Sequence, residues 1–533
     1  MAFDVEDGFR YAVRLRGNPA TMNPPNWEVT WADAPWPVKI YDGRTEVLLP
    51  VVGPRWVPRN PVEDEVLDRL GRLLQLSVGF TRTRIRPDGQ VLSSPERPMP
   101  QNSSATLTAR RALASGGSLY PAEVYLCAGT LAQRVIGTYH YDPIGHKLTR
   151  LTAERPEQRL ALALNIVDIT VDAADQAMLV VTNLFWKSFY KYGDFSYRLG
   201  AVDVGIAAAR LHRLAVAEFG EASLHFDFDD EAVNSVLQID GLHESVYAVI
   251  RLRTAGIPGS PVLKTIPPDA TGSAAPVSHQ RSRNIRRSPD FDAMHASARS
   301  CVRDLPPLPP DVLAALPATT EPGSRVALPP PLTGVLDDLS AAVFARTSNG
   351  ELFAGESVRA EAMATALRAA AEAIADARAA ARREGLPAPV LYVIAQRTIG
   401  VSQGAYRYDP STGALSLLRS GDLGLALVAC TNIRNVNLDL GAFTVHIADT
   451  LDFRRSERGN RTYRIQQMLV GAALDAIMLV CAALGLGCHP MLGFNAADVD
   501  ALYELQGTPV GTLAQICVGT IREGYHIDGG SGA

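Results

Sequence analysis

The phrase GTYHYDP at residues 137–143 returns as GAYRYDP at 404–410, and this duplication constrains the fold more than any other feature of the 533-residue chain. VYL at 124–126 is answered by LYV at 391–393 at the same offset. Gly193, Tyr197, Arg198 and Gly205 are answered by Gly459, Tyr463, Arg464 and Gly471, each displaced by 266 positions. Solenoid units repeat every ~20–50 residues, so a period this long indicates duplication of a whole domain. The chain reads as two copies of one α+β fold joined into an intramolecular pseudo-dimer.

Composition sets limits on what such a pair can do. At 47% hydrophobic and 20% charged, both copies can bury a core. A net charge of −5 without a long basic run lacks the footprint of a nucleic-acid binder. The six cysteines form neither a C-x-x-C pair nor a Cys/His zinc spacing, so no metal is expected and the thiols read as reduced. The start, MAFDVEDGFR, has acids where a signal peptide carries basic residues, which points to a cytoplasmic location. MLVGAALDAIMLVCAALGLG at 468–487 is apolar enough to suggest a membrane span, but Asp475 interrupts it. A helix apolar all round, buried between the two copies, is the preferred reading.

Four segments follow. Residues 1–60 are rich in Trp and Pro, and alternating runs such as VKIYDGRTEVLL predict a small β-rich extension. It either docks a partner or packs on the first domain. Residues 61–255 form domain 1, 256–330 a Pro/Ser/Arg-rich linker, and 331–525 domain 2, with a long Ala/Arg/Glu helix at 356–385.

Three phrases of the first copy carry a family likeness: RALASGGSLYP at 111–121, the YDP turn, and F-x-KSFYKYGDFSYR at 185–198. Together they resemble the SagB/McbC-type azoline dehydrogenases, FMN-dependent enzymes of the nitroreductase fold. The resemblance implies a dimer-like interface that binds FMN, with residues drawn from both copies. From the second copy it implies Arg346 and Ser348 for the phosphate and ribityl, the loop with Pro490, Leu492 and Gly493 for the flavin ring, and Arg522. From the first it implies Ser115, Gly117 and Ser118 beside the cofactor, with Lys191 and Tyr192 as the catalytic pair. The complementary set is eroded: FGEASLHFDFDD (219–230) stands where the flavin loop belongs, and Glu457-Arg458-Gly459 where Lys-Tyr-Gly belongs. One flavin position is therefore expected. Ala114 and Gly350 depart from the family pattern, where proline and a second basic phosphate ligand are usual.

The implied reaction converts a thiazoline or oxazoline of a ribosomally made peptide into thiazole or oxazole, after a partner cyclodehydratase has closed the ring. Lys191 or Tyr192 would accept a proton. A lysine works as a base only when partly neutral, and Phe185, Trp186, Phe189, Tyr190 and Phe195 supply apolar neighbours in sequence. His489 is read as either a pocket residue or a structural one, and Tyr139 and Tyr141 as strand and turn formers. An NAD(P)H-dependent nitro- or quinone reductase, and a flavin-free scaffold for a cyclodehydratase, remain the alternatives.

Overall fold

The computed structural model describes residues 4–17, 28–29, 31–41, 44–51, 65–86, 106–131, 135–164, 176–253, 287–299, 324–348, 350–379, 388–431, 436–454, 458–522 and 527–530. Two antiparallel seven-stranded sheets dominate them. The first runs Glu46–Leu48, Lys147–Thr152, Val135–Asp142, Ala122–Leu131, Gln176–Leu184, Glu244–Arg253, Ala222–His225 across its width. The second runs Arg325–Ala327, Ala414–Ser420, Gly404–Asp409, Val390–Ala395, Phe443–Thr450, Val510–Gly519, Gly487–Met491. The order is the same, and the repeated phrase occupies the third strand of each.

The phrase recurs because its residues build the strand and its turn. Tyr139 and Tyr141 are buried, their hydroxyls bonded to Ile136 O at 3.1 Å and His146 Nδ1 at 2.9 Å. Asp142 Oδ1 accepts the Ile144 N–H, and Asp409 Oδ1 accepts that of Ser411, so each aspartate closes its turn.

Between the sheets lie two 24-residue helices, Ser196–Phe219 and Asn460–Ala483. They cross at the paired glycines. A Cβ on Gly205 would stand 2.3 Å from Met468 O, and one on Gly471 2.3 Å from Val202 O. Only hydrogen at both positions permits this approach. Next to the crossing, the Tyr197 and Tyr463 rings stack at 6.4 Å, and Arg210 meets Asp475 at 2.7 Å with both side chains buried. The apolar stretch expected between the copies is thus the Asn460–Ala483 helix. It is long and apolar enough to cross a membrane, and 94% of its most apolar window is buried in protein. One hydrophobic core runs through both halves, from Leu70 and Leu211 to Met468 and Ile477.

The N-terminal segment corrects the expectation of a β-rich extension. Its main described element is a helix, Val5–Arg16, opened by a capping box in which Asp4 accepts from Glu6 N and Asp7 N. The strand Glu46–Leu48 adds only three residues to the first sheet. The alternation around Lys39 reflects burial instead: its ammonium meets Glu244 at 2.6 Å inside the domain. Nor does the segment pack on the first domain alone. Tyr11 and Arg14 reach Tyr197 and Asp194, whereas Phe9 and Arg16 reach Phe453 and Asp500. The helix straps the two halves together.

Part of the span read as linker is ordered structure. Pro289–Arg299 is a helix that places Phe291 against Phe185 and Phe189, and Arg325–Ala327 pairs with Ala414–Ser420. The rest of that span lies outside the described residues. The helix expected at 356–385 is Ala360–Ala379. At the far end, Ile527–Gly530 pairs with Phe80–Arg86 of the first half.

Candidate functional site

In the first half, the expected residues converge. Lys191 and Tyr192 end a short helix, Trp186–Tyr192, whose preceding turn is fixed by Lys187. The Lys187 ammonium is buried against Glu123 at 2.5 Å and donates to Tyr120 O at 3.3 Å. That anchor holds the helix beside the 111–121 loop, where Lys191, one turn on, and Tyr192 abut the loop's apex. A Cβ on Gly117 would stand 2.5 Å from the Tyr192 hydroxyl and 2.9 Å from Lys191 Nζ. Gly117 has φ +63°, which glycine adopts freely. Ser118 and Tyr120 also hold positive φ, 58° and 50°, a conformation that non-glycine residues keep only where their surroundings impose it.

Gly117 and Ser118 are exposed, while Lys191 and Tyr192 are half-buried. Burial, then Asp203 nearby, pushes the Tyr192 hydroxyl up to about 12, so it stays a neutral O–H donor at ordinary pH. Several of the aromatic neighbours in sequence pack on other rings. Phe185 and Phe189 pack inward on Phe291, and Tyr190 on Trp31. Tyr192 and Phe195 meet at 6.3 Å, and the Lys191 ammonium sits 5.1 Å from the Tyr192 ring centre.

The second-half residues gather at one edge of the second sheet. Ser348 bridges to Cys488, Gly350 N–H donates to His489 Nδ1 at 3.3 Å, and Arg522 N–H donates to Leu352 O at 2.9 Å. Pro490 lies in the strand Gly487–Met491, and Leu492 and Gly493 follow it, with Gly493 O accepting from Thr431 at 3.2 Å. The glycine at 350 has a packing reason: a Cβ there would stand 2.8 Å from His489 and from Val436. Burial lowers His489 to about 4, so it is neutral near pH 7. Ser348 and Arg522 are exposed.

Arg346 joins the two groups. Its guanidinium donates to Ala112 O at 2.9 Å and Leu113 O at 3.4 Å, carbonyls of the first-half loop. Nη1 is buried and has no hydrogen-bond partner among the described residues. Burial, with Arg210 close by, lowers this guanidinium to about 10. An orphaned buried donor, a local excess of positive charge and a Cβ-free cradle at Gly117 fit an anionic cofactor such as FMN.

Several contributors were not singled out from the sequence: Lys187, Tyr120 and, above all, Asp203. Ser115 Oγ donates to Asp203 Oδ2 at 2.6 Å, and Gly116 N–H reaches both carboxylate oxygens at 3.2 Å. Burial raises Asp203 to about 7. A separate cavity of about 850 Å³, bounded by Arg325, Arg368, Glu372, Arg407 and Asp409, contains none of the expected residues.

The position expected to be eroded holds ion pairs. Asp227 stands where Gly493 stands in the other half and Arg458 where Tyr192 does, and these two meet at 2.9 Å. Arg461 and Arg464 both reach Asp230, at 2.8 and 2.7 Å, and Arg461 also donates to Phe226 O. Glu457 lies outside the described residues.

Residues 345–520 match the model of the nitroreductase family. A crystal structure from Anabaena variabilis ATCC 29413, bearing a nitroreductase designation, superposes with TM-score 0.71 over 97% of this chain and 99% of that one, at 21% identity. A Methanocaldococcus jannaschii protein with the same designation is 26% identical over 126 residues, 24% of this chain. The chain spans 62% of that relative's length. A component of an E. coli microcin synthetase complex, solved with a truncated precursor peptide, aligns at TM-score 0.28 and 17% identity over 33% of this chain and 70% of that one. The fold along the whole chain is nitroreductase-like, and the family's sequence signature is recognised in the second half.

Proposed function

We propose that this chain is an FMN-dependent dehydrogenase that oxidises thiazoline or oxazoline rings of a ribosomally made peptide to the azoles. In this reading the two halves are tandem nitroreductase-like domains, residues 61–255 and 331–525, forming a pseudo-dimer with one cofactor position. The observation that carries it is the convergence of Lys191 Nζ and the Tyr192 hydroxyl on the exposed backbone of Gly117. The Asp227–Arg458 pair, closing the equivalent place in the other half, supports the single position.

When bound, FMN supplies the acceptor for the hydride that leaves the ring. Arg346, Ser348 and Arg522 would hold its phosphate and ribityl end. Pro490, Leu492 and Gly493 on one side, and Ser115, Gly117 and Ser118 on the other, would hold its ring. Aromatisation removes two electrons and two protons from the azoline. Lys191 Nζ takes the Cα proton, for which it must stand neutral. Tyr192, held protonated, donates its O–H to the substrate and orients it. The exposure of Gly117 and Ser118 leaves room for a peptide rather than a small buried molecule. A cyclodehydratase that delivers the cyclised peptide is the partner this chemistry requires.

The test is incubation of the FMN-loaded protein with a thiazoline-containing peptide, followed by mass spectrometry for the loss of two hydrogens. Lys191→Ala should abolish that loss while flavin stays bound. Rapid flavin reduction by NADPH, with turnover of a nitroaromatic that survives Lys191→Ala, would replace this reading by a nicotinamide-dependent reductase.

A further inference from the structure

Asp203 sits in the helix Ser196–Phe219, two residues before the glycine at which the central helices cross, and is 2% exposed. Both of its oxygens face the 115–120 loop. Oδ2 accepts from Ser115 Oγ at 2.6 Å, and the Gly116 N–H reaches both oxygens at 3.2 Å. Ser115 Oγ in turn accepts from the Tyr120 N–H at 2.8 Å. A single carboxylate therefore secures the loop at its start directly and at its end through one hydroxyl. Gly117 and Ser118 between those ends, and Tyr120 at the second, all have positive φ. Ser118 and Tyr120 keep that shape only when their surroundings impose it.

The cost of this anchor argues for a purpose. No cation pairs with Asp203 among the described residues. The titratable groups that face the loop from the neighbouring helix are Tyr192, whose hydroxyl feels the carboxylate, and Lys191. A buried acid without a counter-charge is unfavourable. A buried leucine serves at the equivalent position, 469, in the other half. The carboxylate occurs only in the half that carries Lys191 and Tyr192.

We propose that Asp203 is a positioning residue: it fixes Ser115 and Gly116 so that the Gly117 backbone meets Lys191 and Tyr192 in the geometry the cofactor and substrate require. The proposal rests on the function given above, but its first consequence, a tethered loop, is independent of it. A carboxylate suits the task because two donors converge on it. Asparagine offers one acceptor, and would turn its amide N–H₂ toward Ser115. Leucine offers none.

The experiment compares wild type, Asp203→Leu and Asp203→Asn by two readouts. The first is hydrogen exchange of the Gly116 amide in the flavin-free protein. The second is the dissociation constant for FMN from fluorescence titration. Asp203→Leu should exchange at least tenfold faster and bind FMN at least tenfold more weakly, with thermal stability unchanged or higher. Asp203→Asn should recover most of both. If FMN binds in every case, the loss in azoline oxidation should fall on kcat more than on KM. A folded Asp203→Leu whose exchange stays within twofold of wild type overturns the proposal. Should that variant not fold, Ser115→Ala probes the same contact from the loop, and unchanged exchange there overturns it equally. Wild-type protein that binds no FMN defeats the functional reading, while the exchange data still decide whether Asp203 tethers the loop.

Discussion

Replacing Asp475 by alanine removes the partner of a fully buried charge between the two halves. Arg210 is fully buried and bonds Asp475 twice, Nη2 to Oδ1 at 2.7 Å and Nε to Oδ2 at 3.1 Å. Its remaining contact is Ala112 O at 3.4 Å. A buried cation stripped of its partner costs about 3–5 kcal/mol. The upper part of that range applies here, because Arg346 is close enough for Arg210 to lower its pKa, and both guanidiniums hold carbonyls of the same loop. At about 2 °C or less per kcal/mol in a chain of this length, the melting temperature should fall on the order of 5–8 °C. Scanning calorimetry and urea midpoints measure it. The double variant Arg210→Leu/Asp475→Leu removes charge and counter-charge together. It should recover to within about 1 kcal/mol of wild type or exceed it, since apolar replacement of a buried pair is often neutral. A single variant destabilised by less than about 1 kcal/mol, or a double variant as unstable as the single, would refute the reasoning.

Other expectations follow from the same geometry. A Cβ at Gly471 would enter the backbone of the facing helix, so Gly471→Val should lower stability by several kcal/mol, readable as a fall in the urea midpoint. Because burial raises the folded-state pKa of Asp203 from 3.8 to about 7, the folded chain holds a proton there that the unfolded chain releases. Stability should therefore decline as pH rises from about 4 through 7, by on the order of 4 kcal/mol from this group. Asp203→Asn should raise the melting temperature at pH 8 and change it little at pH 5; equal effects at both would contradict the assignment. Arg346→Ala should weaken flavin binding, whereas Arg458→Ala should leave the flavin content unchanged, as read by absorbance after desalting.

The features legible in the sequence were those written in local chemistry. The YDP phrase encodes a strand and an aspartate-closed turn within seven residues, so its recurrence announced a second sheet of the same strand order. The apolar run around 468–487 announced a buried helix, whereas the role of the paired glycines at 205 and 471 as the crossing of two such helices shows only in the fold. The loop at 111–121 and the Lys191–Tyr192 pair were recognised, and the fold does bring them together. What escaped notice depended on distant partners. Arg210 and Asp475 are five and four residues beyond their respective crossing glycines, and their pairing is visible only once the helices are superposed at that crossing. Asp203 gives no local sign that a serine 88 residues earlier donates to it. The N-terminal helix, by contrast, carried its signal: Asp4 and Asp7 have capping-box spacing. The Trp- and Pro-rich alternation downstream outweighed it, although Lys39 and its neighbours follow a buried ion pair rather than a sheet.

The central claim is that duplication kept one cofactor position and closed the other. Purified protein saturated with FMN, freed of excess and denatured, yields its flavin for absorbance and chromatographic identification against chain concentration. One FMN per chain is the predicted result. Two per chain would show that the Asp227–Arg458 pair does not close the second position, and none would remove the flavin from the account altogether.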